Sequence, residues 1–428
     1  MNNLELIKKY KTPFYLYDIG EVKKRLSMMR EHQGDIGLCF AMKAAPLLAG
    51  YIHPYVDRLE VCSPGEYEIC ARDNIKPEQI LVSGVNKTYE SMTRILSLGG
   101  AKGYFTIESP EHFNILEKCA SDTRISQRLK CYVRLTSGNQ FGVDKASLEA
   151  LCQKIIDSEY LDLMGIHYFS GTQKSLKKIE KELILLSQYG NELKEKYGRG
   201  LSLEYGPGLG IDYFLPKNGE GKNESDNSSY DNTSCDKSDF DNNLYLFNES
   251  DLTKLMDLVE KTGIRKVYSD ITFEYGRYIA ASCGKYFTGI ADVKTSDGTN
   301  YAILEGGIHH ITYYGSMAGM KIPYIDYIKT SDRKAKDLPD YTEDYRDYVL
   351  AGSLCSINDI VVRNICLPRL DIGDTLCFNL TGAYSATEGM ALFLSRDIPA
   401  IIVRDIEGKE IIVRNHIETN TFNGGFNN

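Results

Sequence analysis

The sequence offers little that would bind nucleic acid, a membrane or a metal ion. Its 50 basic residues are outnumbered by 59 acidic ones and form no basic stripe, which argues against nucleic acid and anionic membranes as partners. No run approaches the roughly 18 apolar residues of a membrane span, and the first residues, MNNLELIKKYKTPFYLYD, have no apolar core of a signal peptide. The seven histidines show no HExxH or similar metal spacing. We therefore expect no nucleic-acid, membrane or metal partner.

The cysteines also lack a recognisable pattern. There are eleven of them, with no CxxC pair and no regular spacing, and several lie inside apolar runs, as Cys39 and Cys131 do. Such usage is typical of reduced thiols in a cytoplasmic protein. We expect a cytoplasmic location and free cysteines.

Two domains are predicted from the length and from the spacing of apolar runs. The 428 residues, 42% of them hydrophobic, are enough for two cores. Over residues 19–281, short β-like runs alternate with amphipathic stretches such as 148–156, in which apolar residues recur at helical spacing. The candidate strands are 36–42, 58–62, 80–83, 103–107, 130–135, 163–168, 202–206 and 268–273. Eight strands with intervening helices predict an α/β fold, one closed (β/α)8 barrel.

The remaining segments predict a second, mostly β domain. From residue 282 to 428, runs such as YFTGIADVK, NYAILEGG and DTLCFNL come with few helical periods, which indicates an antiparallel sheet or small barrel. The run Phe14–Tyr17 is expected to join that sheet, so that residues 1–18 belong to the same domain.

One segment, 217–243, fits neither domain. Asn, Asp, Ser and Gly dominate it and its net charge is acidic, so it cannot bury enough apolar surface to offset the entropy of ordering. We predict a disordered surface insertion in the barrel domain, with an acidic docking loop as the alternative. Its Asn-x-Ser/Thr strings are not expected to be glycosylated without a secretion signal.

Lys43, in FAMKAAP (40–46), closes an apolar run that reads as a buried parallel strand. Desolvation at such a position would depress the pKa of the lysine and leave its amine nucleophilic, as an imine-forming lysine requires. The alternative is that the lysine snorkels to solvent.

Three further strings follow predicted strands and supply groups for a ligand. In EYGPGLG (204–210), the glycines allow backbone N–H groups to converge on an anion. In FEYGRY (273–278), Gly276 permits close approach, Arg277 can fork onto a phosphate, and Glu274 is placed to hold a proton on a heterocyclic nitrogen; the alternative is a surface Glu–Arg pair. In GIHYFSGTQ (165–173), the isolated His167 is typical of a core histidine bonded to backbone. Together with Lys43 they match the needs of pyridoxal phosphate, which are an imine lysine, phosphate donors, a ring-nitrogen partner and an aromatic face.

The chain resembles the fold-type III pyridoxal-phosphate decarboxylases, the group of diaminopimelate, ornithine and arginine decarboxylases. The resemblance runs from TPFYLYD (12–18) to IPAIIV (398–403). It is carried by FAMKA, VCSPGE, ILVSG, YVRL, FGVDK, GIHYFSGTQ, YGPGLG, FEYGRY, LEGG, GSLCSIND and LTGAYS. The resemblance implies a barrel with a mostly β domain, as in alanine racemase, pyridoxal 5'-phosphate as the cofactor, removal of the α-carboxylate of an amino acid, and a homodimer with shared active sites.

The resemblance also implies roles for individual residues. Lys43 resembles the imine lysine, and Glu274 resembles the acid at the ring nitrogen, where barrel-type alanine racemases place an arginine instead. Cys355 resembles the cysteine that crosses the dimer interface to protonate the substrate carbon; its alternative is a buried structural thiol. The predicted cofactor-binding set is Lys43, Glu60, Arg134, His167, Phe169, Thr172, Gly208, Glu274, Gly276, Arg277 and, from the partner subunit, Tyr384.

Departures from the family pattern bear on the substrate. Phe169 stands where a stacking histidine is usual, Tyr313 where the diaminopimelate enzymes have a carboxylate-clamping arginine, and Ser356 where they have an acid for a distal amine. Ordinary diamino-acid substrates are therefore not expected. The predicted substrate-contacting set is His309, His310, Tyr313, Ser356 and Asp359.

The His-His pair and the aromatic stacker resemble the carrier-protein-tethered glutamate decarboxylases, which act on an amino acid thioesterified to a phosphopantetheine arm. The loop 134–142 is shorter than theirs. Two alternatives remain: a diaminopimelate decarboxylase with rearranged clamps, and a non-catalytic regulator, against which retention of Lys43, Glu274 and Cys355 argues.

Overall fold

The computed structural model describes residues 3–215, 249–313, 321–330 and 344–425. The predicted insertion at 217–243 lies outside these residues. The chain forms two compact units. The barrel unit consists of the described residues of Val22–Ile211 and Asn248–Ile279, and the sheet unit of those of Met1–Glu21, Asp212–Phe247 and Ala280–Asn428.

The barrel unit is a closed ring of eight parallel strands, β2 to β9, in chain order. Its last strand pairs with its first, with Gly37 opposite Thr272, and this closes the ring. The bounds are β2 Gly37–Ala41, β3 Arg58–Val61, β4 Ile80–Val82, β5 Tyr104–Ile107, β6 Leu129–Arg134, β7 Leu161–Phe169, β8 Ser202–Gly206 and β9 Asp270–Tyr275. The eight predicted strands match these to within two residues at each end. The predicted (β/α)8 fold is confirmed.

Helices alternate with the barrel strands, and polar side chains fix where several of them begin. The helices are α2 Ile19–Gln33, α3 Ala49–Ile52, α4 Pro64–Arg72, α5 Tyr89–Ser97, α6 Pro110–Asp122, α7 Lys145–Asp157, α8 Leu176–Tyr197, α9 Glu249–Thr262 and α10 Arg277–Ala280. The N-caps of α4 to α8 each accept a hydrogen bond from the backbone N–H three residues on; they are Ser63, Thr88, Ser109, Asp144 and Ser175. These caps hold the strand-to-helix loops at the carboxyl ends of the strands.

The sheet unit contains a sheet of nine strands. Its elements are α1 Asn3–Lys9, β1 Phe14–Asp18, β10 Gly284–Ser296, β11 Thr299–Leu304, β12 Ile325–Ile328, β13 Tyr345–Ala351, β14 Ile360–Pro368, β15 Thr375–Phe378, β16 Ala400–Arg404, β17 Glu410–Arg414 and α11 Asn420–Gly424. The main order is β14-β13-β11-β10-β1-β16-β17, and β15 pairs with β10 and β12. The predicted mostly β character is confirmed.

The expectation that this sheet is antiparallel throughout is wrong at two places. β1 pairs in parallel with β16, and β11 in parallel with β13. Long stretches of chain separate the two strands of each pair, which leaves room for the crossover connection that parallel pairing requires.

The first strand ties the amino-terminal segment to the sheet unit. β1 lies between β10 and β16, and its alternate side chains Phe14 and Leu16 are buried in one apolar cluster. The ring of Phe14 stacks on Phe287, with centroids 4.7 Å apart. Burying a side chain of this size is worth about 1.5–3 kcal/mol. The other buried members of the cluster are Leu6, Cys377, Ala400 and Ile402.

None of the helices in the described ranges is long and apolar enough to cross a membrane.

Nine cysteines among the described residues are free thiols, most of them buried. Cys366, in β14, is disulfide-bonded, so the expectation of free cysteines is wrong at this residue. Its spacing from the other cysteines gave no sign of pairing, because no framework repeat marks it.

Candidate active site

The chemically active side chains of the barrel unit lie at the carboxyl ends of its strands. Because all eight strands are parallel, these ends share one rim, which is where (β/α)8 enzymes carry their active sites. Following the strands in order, the rim residues are Lys43, Glu60, Ser83, Glu108, Arg134, Phe169, Gly206 and Glu274.

Lys43 forms an ion pair on this rim. Its Nζ lies 3.1 and 3.3 Å from the two carboxylate oxygens of Glu60 and 3.9 Å from the Sγ of Cys62. The side chain is 37% exposed. The expected desolvation of this lysine is therefore wrong, since the carboxylate pairs with the ammonium and solvent reaches it. An amine in this position is open to a small-molecule carbonyl.

Glu60 is built to remain ionised. Its side chain is buried, and the Ser83 hydroxyl donates a hydrogen bond to it. Burial raises the pKa of Glu60, but the charge of Lys43 and the Ser83 hydroxyl outweigh burial and lower that pKa to about 2. The carboxylate thus holds the lysine amine at a fixed place over the whole physiological pH range.

Glu274 and His167 form a second buried pair on the rim. The Nε2 of His167 lies 3.2 Å from the carboxylate and hydrogen-bonds one of its oxygens. The other oxygen, Oε1, is buried and also lies 3.2 Å from Nε2, but it makes no hydrogen bond among the described residues, and neither does the Nδ1 of the histidine. The expectation that His167 is bonded to backbone is therefore wrong; it contacts a carboxylate. A buried carboxylate oxygen without a donor suits a ligand that carries an N–H group.

The turns after β7 and β8 touch each other through glycines. Gly208 has a φ of +62°, and an added Cβ there would overlap the carbonyl oxygen of Gly171 and lie 3.3 Å from the Cα of Thr172. The backbone N–H of Lys174 donates to the Gly208 carbonyl at 2.9 Å. Two predicted phosphate residues, Thr172 and Gly208, are thereby brought together. Gly276 and the buried Arg277 follow β9 at the same rim.

Phe169 lies beside the lysine of the first pair. Its ring centroid is 5.6 Å from the Nζ of Lys43. An added Cβ on Gly206 would overlap the Phe169 ring, so glycine at 206 leaves the space the ring uses. The rim therefore carries an apolar ring next to the amine.

Arg134 is held by a carboxylate on the neighbouring strand. Its Nη1 lies 3.1 and 3.2 Å from the two oxygens of Glu108, and both side chains are buried. The guanidinium also lies 4.8 Å from the Phe141 ring. Burial of both charges makes loss of either partner costly, so the pair fixes the position of Arg134.

In the sheet unit, Asp359 links the Gly-Gly turn to the turn that carries Cys355. Its carboxylate accepts hydrogen bonds from the backbone N–H of Ile308 at 2.9 Å and of Leu354 at 2.7 Å. The side chain is buried, and burial raises its pKa. Cys355 is exposed. Ser356 accepts a hydrogen bond at its Oγ from the Asn358 N–H at 3.2 Å.

The paired histidines differ in what they contact. Both ring nitrogens of His310 have partners, the Tyr286 hydroxyl at 3.1 Å and the Asp397 carbonyl at 2.8 Å. His309 is fully buried against the ring of His310, and neither of its nitrogens has a hydrogen-bond partner within the described ranges. Burial lowers its pKa to about 4, so the imidazole is neutral at pH 7.

The two tyrosines of the predicted set make hydrogen bonds within the sheet unit, Tyr313 through its side chain and Tyr384 through its backbone. The Tyr313 hydroxyl donates to the Asn379 carbonyl at 2.8 Å. Tyr384 has a φ of +67°, which is uncommon for a bulky residue and marks a sharp turn; its carbonyl accepts from the N–H groups of Thr387 and Glu388. The geometry therefore gives Tyr313, like His310, Ser356 and Asp359, a partner within the protein. His309 differs from them, because neither of its ring nitrogens has a hydrogen-bond partner among the described residues.

Sequence reasoning missed several buried polar residues next to this rim. Glu108 directly follows the apolar run of β5, the same kind of placement that singled out Lys43, so a signal was present. Lys174 and Glu182 gave none, because one follows a glycine turn and the other lies within an ordinary amphipathic helix.

A family model described as pyridoxal-dependent decarboxylase, pyridoxal binding domain, matches residues 19–281. The chain belongs to the pyridoxal-dependent decarboxylases. The predicted reaction class, decarboxylation, and the predicted cofactor, pyridoxal phosphate, are those of this family and are confirmed.

Full-length relatives of this decarboxylase share about a quarter of its residues. An L-glutamyl-[BtrI acyl-carrier protein] decarboxylase from Niallia circulans is 23% identical, over 96% of this chain and 92% of the relative. A diaminopimelate decarboxylase from Helicobacter pylori is 24% identical, over 90% of this chain and 89% of the relative. Among solved structures, a diaminopimelate decarboxylase from Helicobacter pylori complexed with L-lysine superposes with a TM-score of 0.76 at 20% identity, over 98% of each chain.

The rim residues fit the family's cofactor. The accessible Lys43 amine suits its aldehyde, and the touching glycine turns at Gly171 and Gly208 leave backbone groups free of side-chain obstruction for its phosphate. The donor-free Oε1 of Glu274 suits its protonated ring nitrogen. The chemistry of these groups matches the three polar ends of pyridoxal phosphate.

Proposed function

We propose that this decarboxylase removes the α-carboxylate of an amino acid at the barrel rim, with Lys43 as the cofactor-linking amine and Glu274 as the ring-nitrogen acid. The observation that carries the proposal is the Lys43–Glu60 pair, an accessible amine held by a permanently ionised carboxylate on the rim that also carries Glu274. Pyridoxal phosphate, when bound, supplies an aldehyde for amines and a ring that accepts the electron pair left by departing carbon dioxide.

Each rim residue has a definite task in this proposal. Lys43 would hold the aldehyde end of the cofactor through its amine and carry a proton during the reaction, while Glu60 keeps that amine in place. Glu274 would hold a proton on the ring nitrogen, and His167, whose Nε2 lies 3.2 Å from the carboxylate, orients that carboxylate. Phe169 would offer the ring an apolar face beside Lys43.

The phosphate tasks fall to the glycine turns and to Arg277. The backbone at Thr172 and Gly208 comes together where the turns touch, and its N–H groups would bind phosphate oxygens there. Gly276, which directly follows β9, carries no side chain that would keep the phosphate away. Arg277 contributes a guanidinium with fork geometry for phosphate oxygens. The buried Arg134, held by Glu108, adds a fixed positive charge at the rim.

We assign to Cys355 the task of returning a proton to the substrate carbon, from a second copy of the chain. Its thiol is exposed, and the neighbouring Ile357 is 93% exposed, an unusual state for a large apolar side chain. The strained turn at Tyr384 would present that tyrosine to the phosphate of the partner's site. In this assignment the enzyme is a homodimer with two composite sites.

For the substrate we propose an amino acid whose distal end carries no charge, such as one tethered through a thioester to a carrier protein. His309, buried and neutral, offers one donor and one acceptor and no charge, and Ser356 supplies no acid. A distal ammonium or carboxylate would lack a counter-charge at these residues, whereas an amide or thioester needs none. The name of the Niallia circulans relative supports the tethered form.

Carbon dioxide release from a panel of substrates tests this function. We expect glutamate tethered to a carrier protein, or amino acids with neutral side chains, to be decarboxylated faster than meso-diaminopimelate. His309 and Ser356 offer no charge, and the Asp359 carboxylate already accepts hydrogen bonds from two backbone N–H groups. Release from meso-diaminopimelate at a comparable rate would show that clamps lie elsewhere in the chain. If the cofactor-loaded protein releases carbon dioxide from none of them, the proposed substrate class is wrong.

Replacing Cys355 by alanine should separate proton return from cofactor binding. The Cys355→Ala variant should bind pyridoxal phosphate like the unmodified protein, because the thiol belongs to the sheet unit and to none of the rim contacts. Turnover should fall by roughly 10²-fold, the lower range for loss of a positioned proton donor, and products with misdirected protonation should appear by mass spectrometry. Cys377→Ala, at a buried free thiol, is the control. Unchanged turnover and products in Cys355→Ala would remove this residue from the mechanism.

A further inference from the structure

Lys174 is a buried cation directly behind the glycine turns. Its side chain is 1% exposed, and its Nζ lies 2.6 Å from the Oε2 of Glu182 and 2.9 Å from the Gly206 carbonyl oxygen. Burial lowers the pKa of Lys174 to about 8 against the opposing effect of Glu182, so the ammonium keeps its charge at pH 7. A buried lysine is uncommon unless it is paired and bonded in this way.

Glu182 accepts hydrogen bonds from the turn after β7 and from strand β8. The donors are the Ser170 hydroxyl and the Lys174 ammonium of that turn and the Tyr205 hydroxyl in β8, the last at 2.7 Å. Glu182 itself lies on α8, which follows the turn. One carboxylate therefore joins the turn after β7, strand β8 and helix α8.

Lys174 is the residue that bridges the two turns directly. Its backbone N–H donates to the Gly208 carbonyl at 2.9 Å and its ammonium to the Gly206 carbonyl at 2.9 Å. Its Cε packs so closely that an added Cβ on Gly208 would lie 2.7 Å from it. Without the ammonium, the Gly206 carbonyl would lose its buried donor. Glu182 would also lose its ion pair with the turn after β7, so that turn would no longer be held next to the turn after β8.

The ring of Phe169 lies near both the Lys174 ammonium and the Lys43 ammonium on the rim. Its ring centroid is 5.9 Å from the Nζ of Lys174 and 5.6 Å from the Nζ of Lys43. The same ring thus lies within cation–π range of both ammonium groups.

We propose that Lys174, with Glu182, is a positioning residue that sets the spacing of the two glycine turns and thereby the affinity for the phosphate group of the cofactor. This inference rests on the proposed function, in which these turns hold that phosphate. It adds a lysine and a carboxylate that touch neither the aldehyde end nor the ring-nitrogen end of the site.

The test compares the dissociation constants of pyridoxal 5'-phosphate and of pyridoxal, which lacks the phosphate, on the apoenzyme. For Lys174→Met we expect the affinity for pyridoxal 5'-phosphate to fall by about tenfold or more, the usual cost of losing a hydrogen bond from a charged group. The affinity for pyridoxal should stay unchanged. Lys177→Met is the matched control. It removes an exposed lysine at the start of α8, the helix that carries Glu182, and should alter neither dissociation constant.

A second variant guards against misfolding. In Lys174→Met/Glu182→Gln no buried charge is left unpaired. The amide oxygen of residue 182 can accept from one of the Ser170 and Tyr205 hydroxyls while its NH2 group donates to the other hydroxyl oxygen, so the double variant should fold and show the same selective loss. Equal weakening of both ligands would reveal a merely structural role, and unchanged binding of pyridoxal 5'-phosphate would overturn the inference. If the unmodified protein bound neither compound, the proposed function itself would fail.

Discussion

Lys43→Ala should abolish covalent attachment of pyridoxal phosphate and reduce carbon dioxide release by roughly 10³-fold or more. In the proposed function this amine both links the cofactor and carries a proton, and loss of proton transfer alone typically costs about 10²–10⁴-fold. The measurement is the absorbance of the bound cofactor, followed by borohydride reduction and peptide mapping of the modified lysine. Turnover is followed in parallel by carbon dioxide release.

Lys43→Arg and Lys76→Ala serve as controls. Arginine keeps a positive charge against Glu60 but stays protonated, so it should bind the cofactor non-covalently and remain inactive. Lys76 is an exposed lysine outside the rim, and its loss should change nothing.

Peptide mapping also separates Lys43 from the other lysines near the rim. Lys87 and Lys174 are buried, whereas the Lys43 side chain is 37% exposed, so a carbonyl compound reaches Lys43 alone among the three. Reduced cofactor found on Lys87 or Lys174 in the unmodified protein would contradict the assignment.

The fold was predictable because its signals are local. Each barrel strand is a short apolar run, and the segments on either side of it have apolar residues at helical spacing. Parallel strands that are covered on both faces consist mostly of apolar residues, so such runs are easy to recognise. The same runs placed Lys43 and Glu274, since a charged residue at the end of a buried strand stands out against its neighbours. The amino-terminal run Phe14–Tyr17 was found in the same way.

What the sequence concealed depends on contacts between distant segments. The pairing of Lys43 with Glu60 joins two strands, and no local pattern distinguishes an ammonium that is desolvated from one that is held by a carboxylate. The Lys174–Glu182 pair likewise joins a turn to the interior of a helix. The parallel pairing of β1 with β16 brings together segments from opposite ends of the chain, and no local pattern in either segment indicates it.

Substrate residues were the hardest to assign, because a residue type does not disclose which of its hydrogen bonds are already used. His309 and His310 are adjacent residues of the same type. Among the residues that the structure describes, His310 nevertheless has two hydrogen-bond partners and His309 has none. Burial is the largest cause that keeps both imidazoles neutral, and the positive charge of Arg396 adds to it; the pKa values are lowered to about 4 for His309 and about 3 for His310. Predicting that difference would have required the positions of Tyr286 and Asp397.

Glu274→Gln should leave cofactor attachment at Lys43 intact while reducing decarboxylation by roughly 10²–10⁴-fold, the range for loss of an acid–base or electrostatic group at a reacting centre. A glutamine fills the same volume beside His167, but it cannot stabilise the positive charge of a protonated ring nitrogen. With glutamine at 274, a bound cofactor ring would be a poorer acceptor for the electron pair that departing carbon dioxide leaves behind. The readout is the split between cofactor loading, followed by absorbance and borohydride trapping, and turnover, followed by carbon dioxide release.

Asp270→Asn is the matched control for Glu274→Gln, because it removes the same charge from the same strand at an exposed position 3.8 Å from Arg58. It should reduce neither loading nor turnover. If Glu274→Gln lost loading and turnover together, the carboxylate would be needed to bind the cofactor rather than to tune it. If the variant kept full turnover, ring-nitrogen protonation would not depend on Glu274, and the buried pair with His167 would be structural. A loss of turnover without a loss of cofactor loading is therefore the result that assigns Glu274 to the protonated ring nitrogen rather than to a structural pair with His167.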